Sequence, residues 1–365
     1  MVKPKYKLYT PGPVDVPLLF LKEMSSGLVY HREASFAAIF ESVRKGLQKM
    51  MMTNGEVHVL TASGTGAMEA AVVNLVSPGE KVLVATAGRF GERWREMALR
   101  FGAYVDEMSR PYGEAVPAGE LERRLMGNDS ARCVFTTLTE TSTGVLNDIK
   151  AFGDVCHRLN RILVVDAVAG LGADELRMDD WHVDVVVGGS QKGLAVPPGL
   201  SFLALSERAS ERVDKAKAPR FYFDLRTARR YAVKGQTSWT PAISIFYALD
   251  LSLKRLNRIG MPAYWKEHAR IADMLRKKVA AMGLQLFPQK PSNALTVIRM
   301  PEGTDGSKIV DICRTKNRIL LANGQGDLRG KMVRIGHMGN VTGPEMTKVF
   351  GCFQRAFKQV TGHAK

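Results

Sequence analysis

Three short segments of this 365-residue chain combine residue types that could do chemistry. The first is Thr61-Ala62-Ser63-Gly64-Thr65-Gly66-Ala67, which runs into a helical pattern from Met68. Small residues let the backbone approach a ligand, and a helix N-terminus offers unpaired N–H groups at the positive end of its dipole. With the Thr65 hydroxyl this makes a phosphate cradle, although such a turn also serves as a plain helix cap. It is not a Walker loop, because no Gly-Lys-Ser/Thr follows. The second segment, Val164-Val165-Asp166-Ala167-Val168, ends an apolar strand on a carboxylate. Carboxylates are rarely buried without a partner, and ligands bind at the carboxyl ends of parallel strands. A helix N-cap is the bland alternative for Asp166. The third, Val185-Val186-Val187-Gly188-Gly189-Ser190-Gln191-Lys192-Gly193, leads from a strand into one lysine, ahead of Pro197-Pro198-Gly199. A lysine is usually a surface charge. One leaving an apolar strand between glycines can lose its proton by desolvation and become a nucleophile.

In this order the three segments meet the needs of one cofactor. Pyridoxal 5′-phosphate carries a phosphate, a ring nitrogen that requires an acidic partner, and an aldehyde that forms a Schiff base with lysine. The combination is far more specific than any one part.

Such groups need a scaffold. Apolar runs at Lys81–Ala85, Cys133–Leu138, Ile162–Asp166, Val183–Gly188 and Ser201–Leu205 read as buried strands. Helical patterns lie between them at Gly66–Val76, Phe90–Phe101, Pro117–Leu125 and Ile149–Leu159. That alternation predicts an α/β fold with a mostly parallel sheet between helices. After Pro241 the pattern becomes α+β: long helices over Ile243–Leu256 and Pro262–Met282, strands at Ala294–Arg299 and near Met332–Ile335, and helices over Gly306–Lys316 and Gly343–Val360. The expected division is an arm of residues 1–14, a large domain of 15–242 and a small C-terminal domain of 243–365.

Composition narrows the class. With 45% hydrophobic and 24% charged residues, the chain is neither a disordered tail nor a collagen-like fibre nor a small disulfide scaffold. The net charge is +16. Residues 1–182 carry 21 Lys+Arg against 23 Asp+Glu, and residues 183–365 carry 31 against 13, so the excess belongs wholly to the second half. Its densest stretch, Arg208 to Lys234, reads as a solvated basic face or an anion site. No zinc-finger, basic-zipper or RNA-binding motif accompanies it, so no nucleic-acid partner is expected. The four cysteines have neither metal-ligand nor disulfide-framework spacing, and no metal is expected. With no apolar leader and no apolar span of about 18 residues, the expectation is a cytoplasmic protein without a membrane partner.

The sequence resembles the class V aminotransferases of the pyridoxal-phosphate fold type I superfamily, in the serine–pyruvate/alanine–glyoxylate branch. The resemblance covers nearly the whole chain. It rests on Thr10-Pro11-Gly12-Pro13, Ser63-Gly64-Thr65-Gly66, Glu140-Thr141-Ser142-Thr143-Gly144-Val145, Val165-Asp166-Ala167-Val168, Ser190-Gln191-Lys192-Gly193, Pro197-Pro198-Gly199-Leu200, Thr240-Pro241 and Val333-Arg334-Ile335-Gly336. It implies that Lys192 forms the Schiff base and that Asp166 pairs with the ring nitrogen. Ser63, Gly64, Thr65, Gly66 and Gln191 would hold the phosphate, and Thr141 would meet the ring hydroxyl region. Phe90 would stack on the ring, where relatives often have Trp or Tyr. Arg334 would take the substrate carboxylate with Gly12 nearby, and Thr240 would reach the phosphate of a neighbouring subunit, which requires a homodimer. The implied reaction moves an amino group from a small amino acid, alanine or serine, to pyruvate or glyoxylate by a ping-pong route. Aspartate, 2-aminoethylphosphonate and ureidoglycine remain alternative donors. A desulfurase ranks low because Gln191 precedes the lysine and Cys313 sits in a helical pattern.

Overall fold

The computed structural model describes residues 6–127 and 130–362; residues 1–5 of the expected arm and the last three residues lie outside it. Seven strands form the principal sheet. In chain order they are Glu56–Leu60 (β1), Lys81–Thr86 (β2), Tyr104–Ser109 (β3), Cys133–Thr137 (β4), Ile162–Asp166 (β5), Val185–Gly189 (β6) and Ser201–Leu205 (β7). The spatial order is β3-β2-β4-β5-β6-β7-β1. Only β7 runs against its two neighbours, and the other pairings are parallel.

Successive side chains on these strands enter opposite cores, as the two-residue period of a strand requires. Leu83, Val134, Leu163, Val165, Val186 and Phe202 join one cluster with the Ala34–Met51 helix. Val82, Val84, Phe135, Val164, Val187 and Leu203 join another with the Gly64–Leu75 and Arg89–Arg100 helices. Both faces are therefore covered, which is why the central strands are apolar throughout and legible in the sequence. The strands missed by pattern are β1 and β3, the two outer ones. β1 is buried from Val57 to Leu60 but its apolar run is broken by His58, and in β3 the sequence Tyr104-Val105-Asp106-Glu107-Met108-Ser109 keeps a wet side and has no apolar run to detect.

A second, antiparallel sheet joins Leu295–Arg299, Met332–Gly336 and Ala322–Asn323. It shares a third core with the helices Met261–Ala281, Gly306–Asn317 and Gly343–Thr361, through residues such as Ile271, Ile298, Cys313, Val333 and Phe353. The Ile243–Ile259 helix instead buries Phe246, Leu249 and Leu253 in the first core, with Phe246 edge-on to Phe36 at 5.3 Å. The N-terminal segment is tied to the second sheet. Lys7 and Leu8 pair in parallel with Ile319 and Leu320, and the Gly336 N–H donates to the Tyr9 carbonyl at 2.7 Å.

The basic stretch from Arg208 to Lys234 is part solvated face, with Lys215, Lys217, Arg226, Arg230 and Lys234 exposed, and part structural. Arg212 Nε donates to the Leu75 carbonyl at 2.8 Å, and Arg220 donates to the carbonyls of Val73, Val213, Ala216 and Ala218. These two cations sit at the C-terminus of the Gly64–Leu75 helix, where dipole and unpaired carbonyls favour positive charge. Arg229 pairs with Glu56 and Asp214.

Candidate active site

Because the sheet is parallel, its strand ends converge. The cradle follows β1, Phe90 follows β2, Thr141 follows β4, Asp166 ends β5 and Lys192 lies three residues beyond β6. A cavity of about 260 Å³ opens there, lined by Ser63, Gly64, Thr65, Phe90, Thr141, Asp166, Gln191 and Lys192 with Gly12 and Arg93. Eight of the anticipated residues thus meet at one place, and the N-terminal arm supplies a ninth.

Asp166 is 5% exposed and accepts the Val168 N–H at 2.8 Å. Burial, with the charge of Glu140, pushes its carboxyl up to about 6; the Val168 hydrogen bond and the nearby Lys192 and Arg93 oppose that rise. Lys192 is 8% exposed, and burial brings its ammonium down to about 8 against the pull of Asp166, with Arg334 and Arg93 adding to the fall. Its Nζ donates to the Pro11 carbonyl. Gly12 sits on this side chain with φ +113°; a Cβ there would overlap Cδ and Cε and lie 2.6 Å from Nζ. Gly12 therefore crowds the lysine itself, while its neighbours Thr10 and Pro11 pack on Gly336, two residues beyond Arg334.

Arg334 is buried on the second sheet. Its Nε donates to the Asn323 carbonyl at 2.8 Å and an Nη to the Thr141 carbonyl at 3.0 Å. Burial lowers its guanidinium to about 10, and Glu140 resists that fall. Gly66 stands one turn into the cradle helix, where a Cβ would meet Ala62 at 2.7 Å. Gly66, Arg334 and Thr240 are not in the cavity lining; Gly66 adjoins it in the cradle helix, and Arg334 through the Thr141 carbonyl, but Thr240 stands apart. It is exposed and outside the cavity of its own chain. The segment leading to it is held by Arg32, which donates to the Gln236 side chain and to the carbonyls of Thr237 and Ser238.

Two residues that matter here were not assigned roles from sequence. Glu140 is fully buried; one carboxylate oxygen accepts the Phe90 and Gly91 N–H groups at 3.0 Å, and the other accepts the Ser142 N–H at 3.0 Å and hydroxyl at 2.5 Å. It caps the Arg89–Arg100 helix and so sets Phe90, while fixing the loop whose Thr141 carbonyl takes Arg334. A charged residue directly after an apolar strand was the available signal. Arg93 was legible only as one turn beyond Phe90 on the same helix.

The residues fit pyridoxal 5′-phosphate. Gln191 lines the cavity, where its side-chain amide NH₂ can donate to a phosphate oxygen. Asp166 is a buried acceptor held by one backbone donor. The Gly64–Leu75 helix presents its N-terminus, and Phe90 offers a flat apolar face.

A family model described as aminotransferase class-V matches residues 20–343. The chain belongs to the class-V aminotransferases. Among its relatives, the L-aspartate–glyoxylate aminotransferase of Paracoccus denitrificans is 36% identical over 92% of this chain and 87% of its own length. A Synechococcus protein named soluble hydrogenase, small subunit, is 36% identical over 92% of this chain and 89% of its own. The crystal structure of an alanine–glyoxylate aminotransferase from Nostoc sp. superposes with a TM-score of 0.93 at 29% identity, covering 98% of this chain and 96% of that one. The sheet and its helices are accordingly those of the fold type I enzymes, as expected from the sequence. No helix of this aminotransferase among the described residues is long and apolar enough to cross a membrane.

Proposed function

We propose that this class-V aminotransferase uses pyridoxal 5′-phosphate to move an amino group from a small amino acid, alanine or serine, to glyoxylate or pyruvate. The single observation that carries the cofactor reading is the pairing of a buried lysine and a buried carboxyl at the ends of adjacent strands, in a cavity whose far wall is a helix N-terminus. The glyoxylate acceptor is supported by the relatives' names. Aspartate is the second reading for the donor, on the strength of the Paracoccus relative.

When bound, the cofactor supplies an aldehyde and an electron-withdrawing ring. Ser63, Gly64, Thr65, Gly66 and Gln191 would hold its phosphate. Asp166 would keep the proton on the ring nitrogen, Phe90 would offer its flat face to the ring and Thr141 would meet its hydroxyl side. Lys192 would hold the cofactor through its aldehyde, and its amine would take and return the proton at the substrate Cα. A lysine brought down to about 8 is matched to that exchange near neutral pH. Arg334 binds the substrate carboxylate with its planar fork, beside the arm at Gly12. Amino and keto acids use this one site in turn, so the kinetics are ping-pong.

The working unit is a homodimer in which Thr240 reaches the neighbour's phosphate. Exposed Leu18, Leu19, Leu28, Tyr30, Phe221 and Val233 support a surface for a second copy, flanking the segment that Arg32 holds. The division into an arm 1–14, a binding body 15–242 and a smaller body 243–365 is supported by the third core for the helices and strands from Ile271 onward, whereas the Ile243–Ile259 helix packs in the first core with the large body. Four buried free thiols suit a reducing, cytoplasmic setting.

The test is direct. Purified chain incubated with pyridoxal phosphate turns yellow; borohydride fixes the label on Lys192 in one sample, and in a separate unreduced sample serine, alanine or aspartate drives glyoxylate to glycine. Lys192→Ala loses the label and the turnover. A wild-type chain that takes no label on Lys192 would sink the reading.

A further inference from the structure

Arg93 has no place in the roles set out above, yet it faces the same cavity. It lies three residues after Phe90, so one turn of the Arg89–Arg100 helix brings both to one side. Its Nη1 donates to the Thr65 hydroxyl at 2.9 Å, and its guanidinium carbon lies 4.7 Å from the Phe90 ring centroid. Thr65 opens the cradle helix, so a side-chain cation and the positive end of a helix dipole meet at one spot. Other partly exposed arginines have carboxylates: Arg95 pairs with Glu107, Arg110 with Glu120 and Arg212 with Glu80. Among the described residues no carboxylate lies within ion-pair distance of Arg93. Two positive features placed together without an anion repel each other, and a dianion between them reverses the sign. The hydroxyl of Thr65 adds direction. Having accepted a hydrogen bond from Arg93, it has its own proton left to donate to a further acceptor.

We propose that Arg93 is the counter-cation for a phosphate monoester at this cradle, making the pocket select the phosphorylated cofactor over the same ring without its phosphate. The inference rests on the cofactor reading above and goes beyond it. Arg93 acts on the phosphate directly and through Thr65, whereas Asp166 and Lys192 recognise the ring and its aldehyde. Because Arg93 also lies over the Phe90 ring and bears on the charges of Lys192 and Asp166, its selection is read in the ratio of the two affinities, in which effects common to both ring compounds cancel.

Binding of pyridoxal 5′-phosphate, pyridoxal and inorganic phosphate is measured by absorbance titration and competition, without turnover, on wild type, Arg93→Met and Arg93→Lys. Arg93→Met weakens pyridoxal phosphate about 10- to 100-fold, the scale of a lost charge-assisted hydrogen bond. Pyridoxal is weakened at least about fivefold less than its phosphate, and inorganic phosphate ceases to compete. Arg93→Lys keeps the charge and restores most of the preference for the phosphorylated form, which also covers the case of a poorly folded methionine variant. If Arg93→Met weakens both ring compounds equally, Arg93 acts through Phe90 packing and the proposal fails. An unchanged affinity ratio overturns it as well. Both failures leave labelling of wild-type Lys192 intact; loss of that labelling would instead overturn the cofactor reading.

Discussion

Replacing Gly12 by alanine tests how the arm controls the reactive lysine. At φ +113° an alanine is strained by about 1–3 kcal/mol. Its methyl would also overlap Cδ and Cε of Lys192 and lie 2.6 Å from Nζ. The start of the arm cannot shift as a whole, because Lys7 and Leu8 are paired with Ile319 and Leu320 and Thr10 packs on Gly336. The strain is relieved by lifting the Pro11–Pro13 segment off the lysine, which admits water. Desolvation is the main reason the Lys192 amine stands at about 8 instead of 10.5, so solvation returns it toward the upper value. At pH 8 the neutral fraction then falls from about one half toward about 1 in 300. The assay is the rate of adduct formation between Lys192 and pyridoxal as a function of pH. The wild-type midpoint is expected near 8. Gly12→Ala shifts it upward by one to two pH units and slows the reaction at pH 7.5 by about 10- to 100-fold, with the fold retained. A variant whose midpoint stays near 8 would refute the idea that the arm keeps the lysine dry.

Asp166→Asn separates stability from catalysis. Burial raises the Asp166 carboxyl from 3.8 to about 6, so the folded chain holds that proton more tightly than the unfolded one. The stabilisation is complete below pH 3.8 and is lost as pH rises through 6, leaving a cost of about 3 kcal/mol above it. The cofactor-free asparagine variant should therefore melt higher than wild type at pH 8, lose that advantage near pH 4, and be catalytically dead; equal melting at pH 8 counts against the assignment. Glu140→Gln leaves two of four buried donors facing an amide NH₂, at about 1–3 kcal/mol each. Urea unfolding should show a loss of about 1–6 kcal/mol, smallest if the NH₂ turns to Ser142, whose hydroxyl can rotate to accept, and pyridoxal phosphate should bind more weakly as Phe90 drifts. Wild-type stability in this variant would mean that Glu140 does not hold the helix start.

Much of the site was legible in one dimension because its residues follow apolar strands. Val164-Val165-Asp166 and Val187-Gly188-Gly189-Ser190-Gln191-Lys192 announce a strand end and its cargo together, and in a parallel sheet such ends share one edge. The order of cradle, acid and lysine was enough to point to pyridoxal phosphate before any coordinates, and those three segments do meet at one cavity. The central strands could be read for the same reason, being buried on both faces, whereas β1 and β3 could not, because His58 breaks the apolar run of β1 and β3 has no apolar run to detect.

Tertiary structure decided the rest. That Gly12 lies on Lys192, 180 positions later in the chain, depends on the pairing of the arm with the second sheet. Local patterns carry no record of that contact. Glu140 and Arg93 are ordinary charged residues in sequence; burial and direction make them a helix cap and a cavity wall. The charge excess shows the same limit. Composition counts cations and cannot distinguish Arg220, sunk into four carbonyls at a helix end, from a lysine in water. The sequence thus determined which chemistry the chain carries, since residue type and strand-end position are local properties. Packing alone decided which cations face the ligand and which merely close a helix, since that depends on contacts between distant segments.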